Sequence, residues 1–248
     1  MFAGHFHDNL AGFAEVFQTS DDRRDALDGA RLADPIHLTP LLARFGRHHG
    51  CSEPRATASQ WSKYFFSRLG ITTLVVQMAT DRALDLRLDN LRMTCHEDGT
   101  PACFLLASGA QGQASSSGSD FSHLIDHALT PIVAALSLYC RLSARVFWSN
   151  AGVYFAWALD ELETQQRIPA SRLASARALL TRRQRQDGGF NPFYRVYKDC
   201  SPGTLDGNDD VVDHCRRLCC MRDLDAQWGL CANCPRAMHT ATPDRATG

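Results

Sequence analysis

The stretch "CRRLCCMRDLDAQWGLCANCPR", Cys215 to Arg236, holds five of the ten cysteines in a chain of 248 residues. Cys219 and Cys220 are adjacent, ten residues separate them from Cys231, and two residues separate Cys231 from Cys234. A segment this short cannot fold on hydrophobic burial alone, so it needs a staple that its cysteines can supply. This stretch therefore decides how the carboxy-terminal part of the chain folds.

The cysteine spacing indicates metal or redox chemistry. The amino terminus, "MFAGHFHDNLAGFAEVFQ", has no basic start followed by an apolar run, so we expect no secretory signal and a cytoplasmic protein. Disulfides are rare in that compartment, and none of the ten cysteines is expected to form one. A pair spaced like Cys231 and Cys234 brings two sulfurs to one side of a turn, which is the arrangement that a metal site requires.

The adjacent pair bears on which metal is bound. Four-thiolate zinc sites gather their ligands from two cysteine pairs, each with about two to four residues inside it. Neighbouring side chains in an extended strand point to opposite faces, so Cys219 and Cys220 need a bent backbone to serve one centre. A two-iron cluster has a larger ligand envelope and accepts such a pair more readily. The geometry favours a [2Fe–2S] cluster and leaves structural zinc as the alternative.

The rest of the chain has the composition of a globular protein. Its residues are 44% hydrophobic, and its formal net charge of −1 gives no electrostatic reason to expect nucleic acid as a partner. The most apolar region, residues 129–159, is interrupted by Arg141 and Arg145 before a run reaches the roughly 18 residues that span a bilayer. We therefore expect buried core helices and no transmembrane segment, a pattern that leaves peripheral membrane association open.

Hydrophobic periodicity predicts a mainly helical α+β fold. Apolar residues at steps of three and four residues predict a short helix near Leu10–Phe17 and four longer ones. The longer helices are expected at about residues 56–84, divided at Gly70, at 120–139 with Asp120 as cap, at 142–165, and at 169–189. "LDLRLDNLRMTC" alternates apolar and polar residues, and turn residues separate it from "ACFLLAS", which predicts a β-hairpin. A loop rich in Gly and Ser is expected at residues 108–120.

Two units follow from these patterns. Residues 1–210 are predicted to form a mainly helical domain with a β-hairpin or small antiparallel sheet. Residues 211–240 are predicted to form a short cysteine-rich iron–sulfur segment.

Two motifs carry a resemblance to a known family. The pattern "RRLCCMRD…CANCP", with its adjacent cysteines, ten-residue gap and following Pro235, resembles the carboxy-terminal signature of the FhuF-type ferric-siderophore reductase family. "ARVFWSNAGVYFAWALDEL", Ala144–Leu162, is similar to the family's aromatic-Trp-x-Asn helix. The resemblance covers about Trp61 to Pro235. It departs from the family pattern at "MRDLDA" after the double cysteine, and Cys215 is an additional nearby thiol.

The resemblance implies an activity and a cofactor. It implies a ferric-siderophore-binding and reductase domain that reduces Fe(III)-siderophores of the hydroxamate type by one electron and releases Fe(II) in the cytoplasm. Fe(II) binds the hard oxygen donors of a siderophore much more weakly than Fe(III) does, so one electron suffices and no acid–base residue is expected. It also implies that four residues bind the [2Fe–2S] cluster: Cys219, Cys220, Cys231 and Cys234.

Charged residues around the cysteines suggest how the site works. Arg216, Arg217 and Arg222 flank the predicted cluster, where cations favour its reduced form and attract an anionic ferric chelate, although solvent-exposed arginines give the same pattern. No nicotinamide or flavin motif is recognisable, so we expect a separate electron-donor protein, a ferredoxin or a reductase. The arginine-rich helix from Arg172 to Arg185 is the candidate docking surface for an acidic partner, and a merely solvated helix face is the alternative.

Two other functional classes compete with the reductase. The four cysteines of a non-enzymatic binding module would hold structural zinc. A ligase domain related to siderophore synthetases is the third class, and the sequence shows no nucleotide-binding motif to support it.

Overall fold

The computed structural model describes residues 2–19, 25–110, 118–199 and 214–237, apart from the side chain of Asp199. The α-helices of these ranges are α1 (Gly29–Leu32), α2 (Pro35–His48), α3 (Pro54–Phe66), α4 (Thr72–Thr80), α5 (Thr130–Cys140), α6 (Ala144–Gln165) and α7 (Ala170–Thr181). The strands are β1 (Phe17–Thr19), β2 (Leu27–Asp28), β3 (Leu91–Cys95), β4 (Pro101–Leu106), β5 (Tyr197–Asp199) and β6 (His214–Arg216). The predicted class, mainly helical α+β with a small sheet and a cysteine-rich carboxy-terminal region, is confirmed.

The helix predicted over residues 56–84 is present as one nearly continuous rod. It consists of α3, a π-helical turn at Ser67–Ile71, and α4. Gly70 lies inside the π-helical turn, so it changes the winding of the rod without ending it. The rod ends at Asp81, which adopts the left-handed conformation with φ of 55°.

The second pair of long helices also follows the prediction. A π-helical turn at His123–Leu129 leads into α5, and α6 follows. The amide of Ser122 donates to Asp120 Oδ1 over 2.8 Å, but the N-cap residue of the π-helical turn is Ser122 and not the predicted Asp120. By composition and length, the 18 residues from His123 to Cys140 could cross a membrane, but half of this window is buried within the fold, as in a core helix of a globular protein.

Helix α7 begins as predicted but is shorter than expected. It ends at Thr181, because Arg182 adopts extended backbone angles. The "QDGG" sequence then forms a tight turn of its own, with Gly188 at φ of 81° and a β-bridge between Gln184 and Phe190.

The predicted hairpin is formed by β3 and β4, with Leu91 paired to Leu106. Two short strands extend it: β1 pairs parallel to β4, and β2 pairs antiparallel to β3, which gives the order β1-β4-β3-β2. The sheet is therefore mixed. The alternating residues before Leu91 do not join it, because a 3₁₀ turn at Leu88–Asn90 redirects the chain.

The core lies between this sheet and helices α3, α5 and α6. Trp61 on α3 is fully buried, stacks on Phe65, and donates its indole N–H to the Gly99 carbonyl over 3.1 Å. Phe104 of β4 meets Phe65 edge-on. These contacts fix α3 against the sheet, and the opposite side of α3 meets the carboxy-terminal segment.

The carboxy-terminal segment packs on the helical domain. Strands β5 and β6 form a two-stranded hairpin with Tyr197 paired to Arg216. A 3₁₀ turn at Arg222–Leu224 then contacts α3. The predicted domain boundary at residue 210 lies outside the described residues, as does most of the predicted loop at 108–120.

Candidate redox site

The backbone bends directly after the adjacent cysteines. Met221 adopts a left-handed conformation with φ of 57°, and its amide donates to Cys219 Sγ over 3.3 Å. The chain also turns between Cys231 and Cys234, whose amide donates to the Cys231 carbonyl over 3.0 Å. The backbone therefore bends at the residue that follows the adjacent pair.

Two of the four cysteines are in direct contact. The sulfurs of Cys220 and Cys231 are 3.8 Å apart. Cys220 and Cys234 are buried, whereas Cys219 and Cys231 are half-buried. Cys219 lies within electrostatic reach of Cys234. The structure thus brings Cys220 and Cys231 into contact beside α3, with Cys219 near Cys234.

A buried lysine contacts the cysteine pair. Lys63, on α3, is only 8% exposed, and its Nζ lies 3.1 Å from Cys220 Sγ. Ser59, one turn earlier on the same helix, donates its hydroxyl to the Cys220 carbonyl. Helix α3 therefore holds both the backbone and the side chain of Cys220.

A polar network links the helices to the cysteine segment. Asn150 on α6 is fully buried, and its Nδ2 donates to Ser59 Oγ over 3.1 Å and to Ser62 Oγ over 3.0 Å. Asn150 Oδ1 accepts a hydrogen bond from the guanidinium of Arg216, which is 3% exposed. The backbone amide of Arg216 donates to the Asn233 carbonyl over 3.0 Å. Asn150 is the last residue of the "FWSN" motif, so this motif positions Arg216.

The environment favours a thiolate at Cys220. The hydrogen bond with Cys231 lowers the pKa of Cys220, and the positive charges of Lys63 and Arg216 lower it further. The same hydrogen bond raises the pKa of Cys231, and burial raises it further. Burial lowers the pKa of Lys63, but the neighbouring Cys220 opposes that shift.

Cys219 has a different environment. Arg236 Nη1 lies 3.8 Å from its sulfur, and Arg236 also forms an ion pair of 2.6 Å with Asp223. Burial raises the pKa of Cys219, while hydrogen bonds from Met221 and Arg236 oppose the increase. Cys220 is thus buried beside positively charged side chains, whereas Cys219 lies near the surface.

The donors of this region are thiols and arginine N–H groups. Among the described residues, no group of three or more His, Cys, Asp or Glu side chains is arranged to hold a metal ion. The Nε atoms of Arg216 and Arg222 are buried and have no hydrogen-bond partner within the described ranges. Cluster sulfurs accept hydrogen bonds from such donors. The thiols and orphaned donors therefore fit an iron–sulfur group.

The three arginines predicted near the cysteines have different positions. Arg216 is buried beside Cys220, and Arg222 is half-buried and donates to the Trp228 carbonyl. Arg217 is exposed and lines a separate cavity. Sequence reasoning missed Lys63, which is 157 positions from Cys220. The sequence feature that could have drawn attention to Lys63 is the rarity of lysine, because Lys63 and Lys198 are the chain's two lysines.

Cys215 does not join the four cysteines as a free thiol. It is disulfide-bonded, so the expectation that no cysteine forms a disulfide is wrong for this residue. The expectation was based on the reducing compartment alone. The redox state of a compartment does not determine whether a particular cysteine meets the geometry of a disulfide.

Two cavities border the cysteine segment. The first, here the cysteine cavity, has a volume of about 580 Å³, and its walls include Lys63, Tyr64, Tyr154, Trp157, Arg222 and Cys231. The second, here the arginine cavity, has a volume of about 750 Å³, and its walls include Arg145, Trp148, Arg183, Tyr194, Arg195 and Arg217. Leu218, which precedes Cys219, also lines the arginine cavity.

The arginines of α7 and its following turn are largely engaged within the fold. Arg177 forms ion pairs of 2.7 Å with Asp160 and 2.6 Å with Glu163. Arg172 donates to the Met78 carbonyl, and Arg185 pairs with Asp126. The predicted docking surface from Arg172 to Arg185 therefore has fewer available cations than its sequence suggests.

Comparison with known proteins identifies a family and a curated relative. The sequence profile described as "Ferric iron reductase FhuF-like transporter" matches residues 59–203, more than half of the chain. This range includes Ser59, Lys63 and Asn150 but ends before the four cysteines. The chain is 25% identical to the ferric siderophore reductase of Escherichia coli (strain K12) over 219 residues, which cover 85% of this chain and 79% of that protein.

A solved structure is also similar. It is the ATP-bound aerobactin synthetase IucA from a hypervirulent pathotype of Klebsiella pneumoniae, with a TM-score of 0.48 and 12% sequence identity. The similarity covers 62% of this chain and spans about a third, 33%, of the synthetase chain.

Proposed function

The chain belongs to the FhuF-like ferric iron reductase family, and we propose that it reduces ferric siderophores by one electron. The relative from Escherichia coli, named a ferric siderophore reductase, supports this assignment. The observation that carries the proposal is the contact of the Cys220–Cys231 pair with the buried cation Lys63. Such a site can hold a redox group and stabilise added negative charge.

The reaction requires electron transfer and no acid–base group. A siderophore holds Fe(III) through hard oxygen donors, here proposed to be hydroxamates. One electron converts Fe(III) to Fe(II), whose weaker binding to those oxygens allows the metal to leave the chelate, and we propose that this release occurs in the cytoplasm.

We assign the cofactor as a [2Fe–2S] cluster, held by Cys219, Cys220, Cys231 and Cys234. When bound, it supplies a site that accepts and returns one electron at a time. Buried Cys220 and Cys234 exclude water from one side of the site. Lys63 and Arg216 hold positive charge beside Cys220, which offsets the negative charge of the thiolates and favours the reduced state.

The metal content of the purified protein tests the cofactor. Protein prepared without oxygen should be red-brown and contain about two irons and two sulfides per chain. A colourless protein with about one zinc per chain would instead support the structural-zinc alternative.

The electron donor is proposed to be a separate acidic protein, a ferredoxin or a reductase. The arginine cavity is a better docking site for it than α7, because Arg145, Arg183, Arg195 and Arg217 are exposed. Within the described part of the chain, none of these four side chains forms an ion pair with a carboxylate. Exposed cations of this kind attract an acidic partner and orient it.

Apolar groups at the same place would strengthen the docking. Phe190, which lines the arginine cavity, is 77% exposed, and Trp148 lies beside it in the wall. Aromatic and arginine side chains together are typical of the residues that dominate binding at protein interfaces. Because Leu218 lines the cavity, a donor seated there is one residue from Cys219.

A further inference from the structure

An ion pair joins the two halves of the cysteine segment. Asp223 follows the adjacent cysteines in the 3₁₀ turn Arg222–Leu224, and Arg236 lies two residues after Cys234. Arg236 Nη1 is 2.6 Å from Asp223 Oδ2. The amide of Ala237 donates to the Cys234 carbonyl over 3.2 Å, so Arg236 lies in a turn that begins at that cysteine. The ion pair therefore connects the turn after one cysteine pair with the turn after the other.

Both members of this ion pair contact the same sulfur. Asp223 Oδ1 lies 3.6 Å from Cys219 Sγ, and Arg236 Nη1 lies 3.8 Å from it. The amide of Met221 donates to this sulfur as well, over 3.3 Å. Cys219 thus has an anionic and a cationic side chain as neighbours, in addition to a neutral backbone donor.

The carboxylate of Asp223 is an unfavourable neighbour for a thiolate. Its side chain is only 13% exposed, so solvent screens its charge only in part. A thiolate at Cys219 is repelled by a carboxylate 3.6 Å away, and an electron added to the site increases that repulsion. The guanidinium of Arg236 contacts both groups and opposes the repulsion. The charge felt at Cys219 therefore depends on the two side chains together.

We propose that Asp223 and Arg236 tune the reduction potential of the site through Cys219, with Arg236 raising the potential and Asp223 lowering it. This role rests on the cluster proposed above. Asp223 is also a positioning residue, because its ion pair holds the guanidinium against the sulfur. Cys219 follows Leu218 in the wall of the arginine cavity, so the pair acts where the donor protein is proposed to deliver its electron. No bond to either side chain forms or breaks in that transfer.

Removal of the two charges should shift the potential in opposite directions. Arg236→Gln leaves the carboxylate unopposed, so one-electron reduction should become about three- to tenfold less favourable, a decrease of about 30–60 mV in an anaerobic optical redox titration. Asp223→Asn leaves the guanidinium unopposed and should increase the potential by a similar amount. The loss of a merely structural ion pair would not produce shifts of opposite sign.

A second ion pair of the same length provides the control. Arg87 Nη2 lies 2.6 Å from Asp85 Oδ2, and its side chain is 60% exposed, compared with 54% for Arg236. Arg87→Gln should leave the potential unchanged. Arg236→Lys keeps the positive charge and should retain most of the potential of the unmodified protein. An unchanged visible spectrum shows that each variant is folded and loaded.

The outcomes distinguish the role of the ion pair from the presence of the cluster. If Arg236→Gln and Asp223→Asn both keep the potential of the unmodified protein, or shift it in the same direction, the tuning role is wrong and the reductase assignment survives. If Arg236→Gln does not retain iron, Asp223→Asn decides alone, and a potential that does not increase overturns the role. An unmodified protein that holds no iron overturns both the role and the proposed cluster.

Discussion

Burial of Lys63 beside Cys220 costs the lysine its hydration, and its lowered pKa reflects that loss. The cost is offset by the negative charge of Cys220, whose sulfur is 3.1 Å from Nζ. The free energy of a buried cation with one such partner depends strongly on the charge of that partner. At the scale of single residues, we therefore propose that Lys63 helps to set the reduction potential of the site.

Neutralising Lys63 should lower that potential. Lys63→Gln removes a buried positive charge that stabilises the reduced state, so we expect a decrease on the order of 60 mV, equivalent to a tenfold change for one electron. An optical redox titration measures it. Lys198→Gln, at the chain's exposed second lysine, is the matched control and should leave the potential unchanged. Identical potentials for Lys63→Gln and the unmodified protein would remove the role assigned to Lys63.

Cysteine variants test the ligand assignment. Cys231→Ser should abolish or strongly change the visible spectrum and the reduction of ferric chelates, since it removes a thiolate ligand. Cys215→Ser should keep both, because Cys215 is engaged in a disulfide. Loss of the cluster in Cys215→Ser together with its retention in Cys219→Ser would show that the ligands are assigned wrongly.

Among the structural elements, α6 joins the fold to the site. Its Asn150 holds Ser59 and Ser62 of α3 on one side and Arg216 on the other. Gly152, two residues later, has no room for a Cβ, which would collide with Val196 before β5. Helix α6 therefore positions both α3 and the chain that leads to the cysteine segment.

Removal of the Asn150 amide should loosen this connection. In Asn150→Ala the buried guanidinium of Arg216 loses its acceptor, which should reduce the free energy of unfolding by about 1–3 kcal/mol. Iron content per chain should fall as well. Urea unfolding and metal analysis measure the two effects, with Asn9→Ala as control, because Asn9 bonds to Glu161 at the surface. Unchanged stability and iron content would contradict the positioning role of Asn150.

Charge reversal should identify the donor interface. The double variant Arg183→Glu and Arg195→Glu should slow reduction by an acidic ferredoxin by about tenfold and decrease its salt dependence. Reduction by dithionite should be unaffected, because this small reductant needs no docking surface. Arg47→Glu, an exposed position on α2, is the control. If the ferredoxin reduces the double variant and Arg47→Glu at the same rate, the arginine cavity is not the interface.

The long helices and the hairpin were predictable from sequence. Their apolar residues recur at steps of three and four residues in the helices and alternate with polar residues in the hairpin. Strands β1 and β2 are three and two residues long, too short for any period to be visible. Helix α2, Pro35–His48, was also missed, although Asp34 caps it and Pro35 begins it. Those two residues were the signal that could have identified it.

On the scale of the whole molecule, the cysteine spacing predicted the position of the redox site in the sequence, and the fold determines which other residues surround it. Spacing indicated four candidate ligands, since it reflects local turn geometry. It could not show Lys63 or the aromatic wall at Trp157, because these come from helices distant in sequence. The two cavities border different parts of the cysteine segment, at Leu218 and at Cys231, so we propose that electrons enter near one and leave near the other.

Electron paramagnetic resonance of the reduced protein tests the central claim most directly. Protein reduced with dithionite under anaerobic conditions should give the signal of a reduced [2Fe–2S] cluster. Addition of a neutral ferric trihydroxamate should abolish that signal and yield about one Fe(II) per cluster in the presence of an Fe(II)-specific chelator. A protein with no such signal, or a signal that persists after the ferric chelate is added, would contradict the proposed reductase.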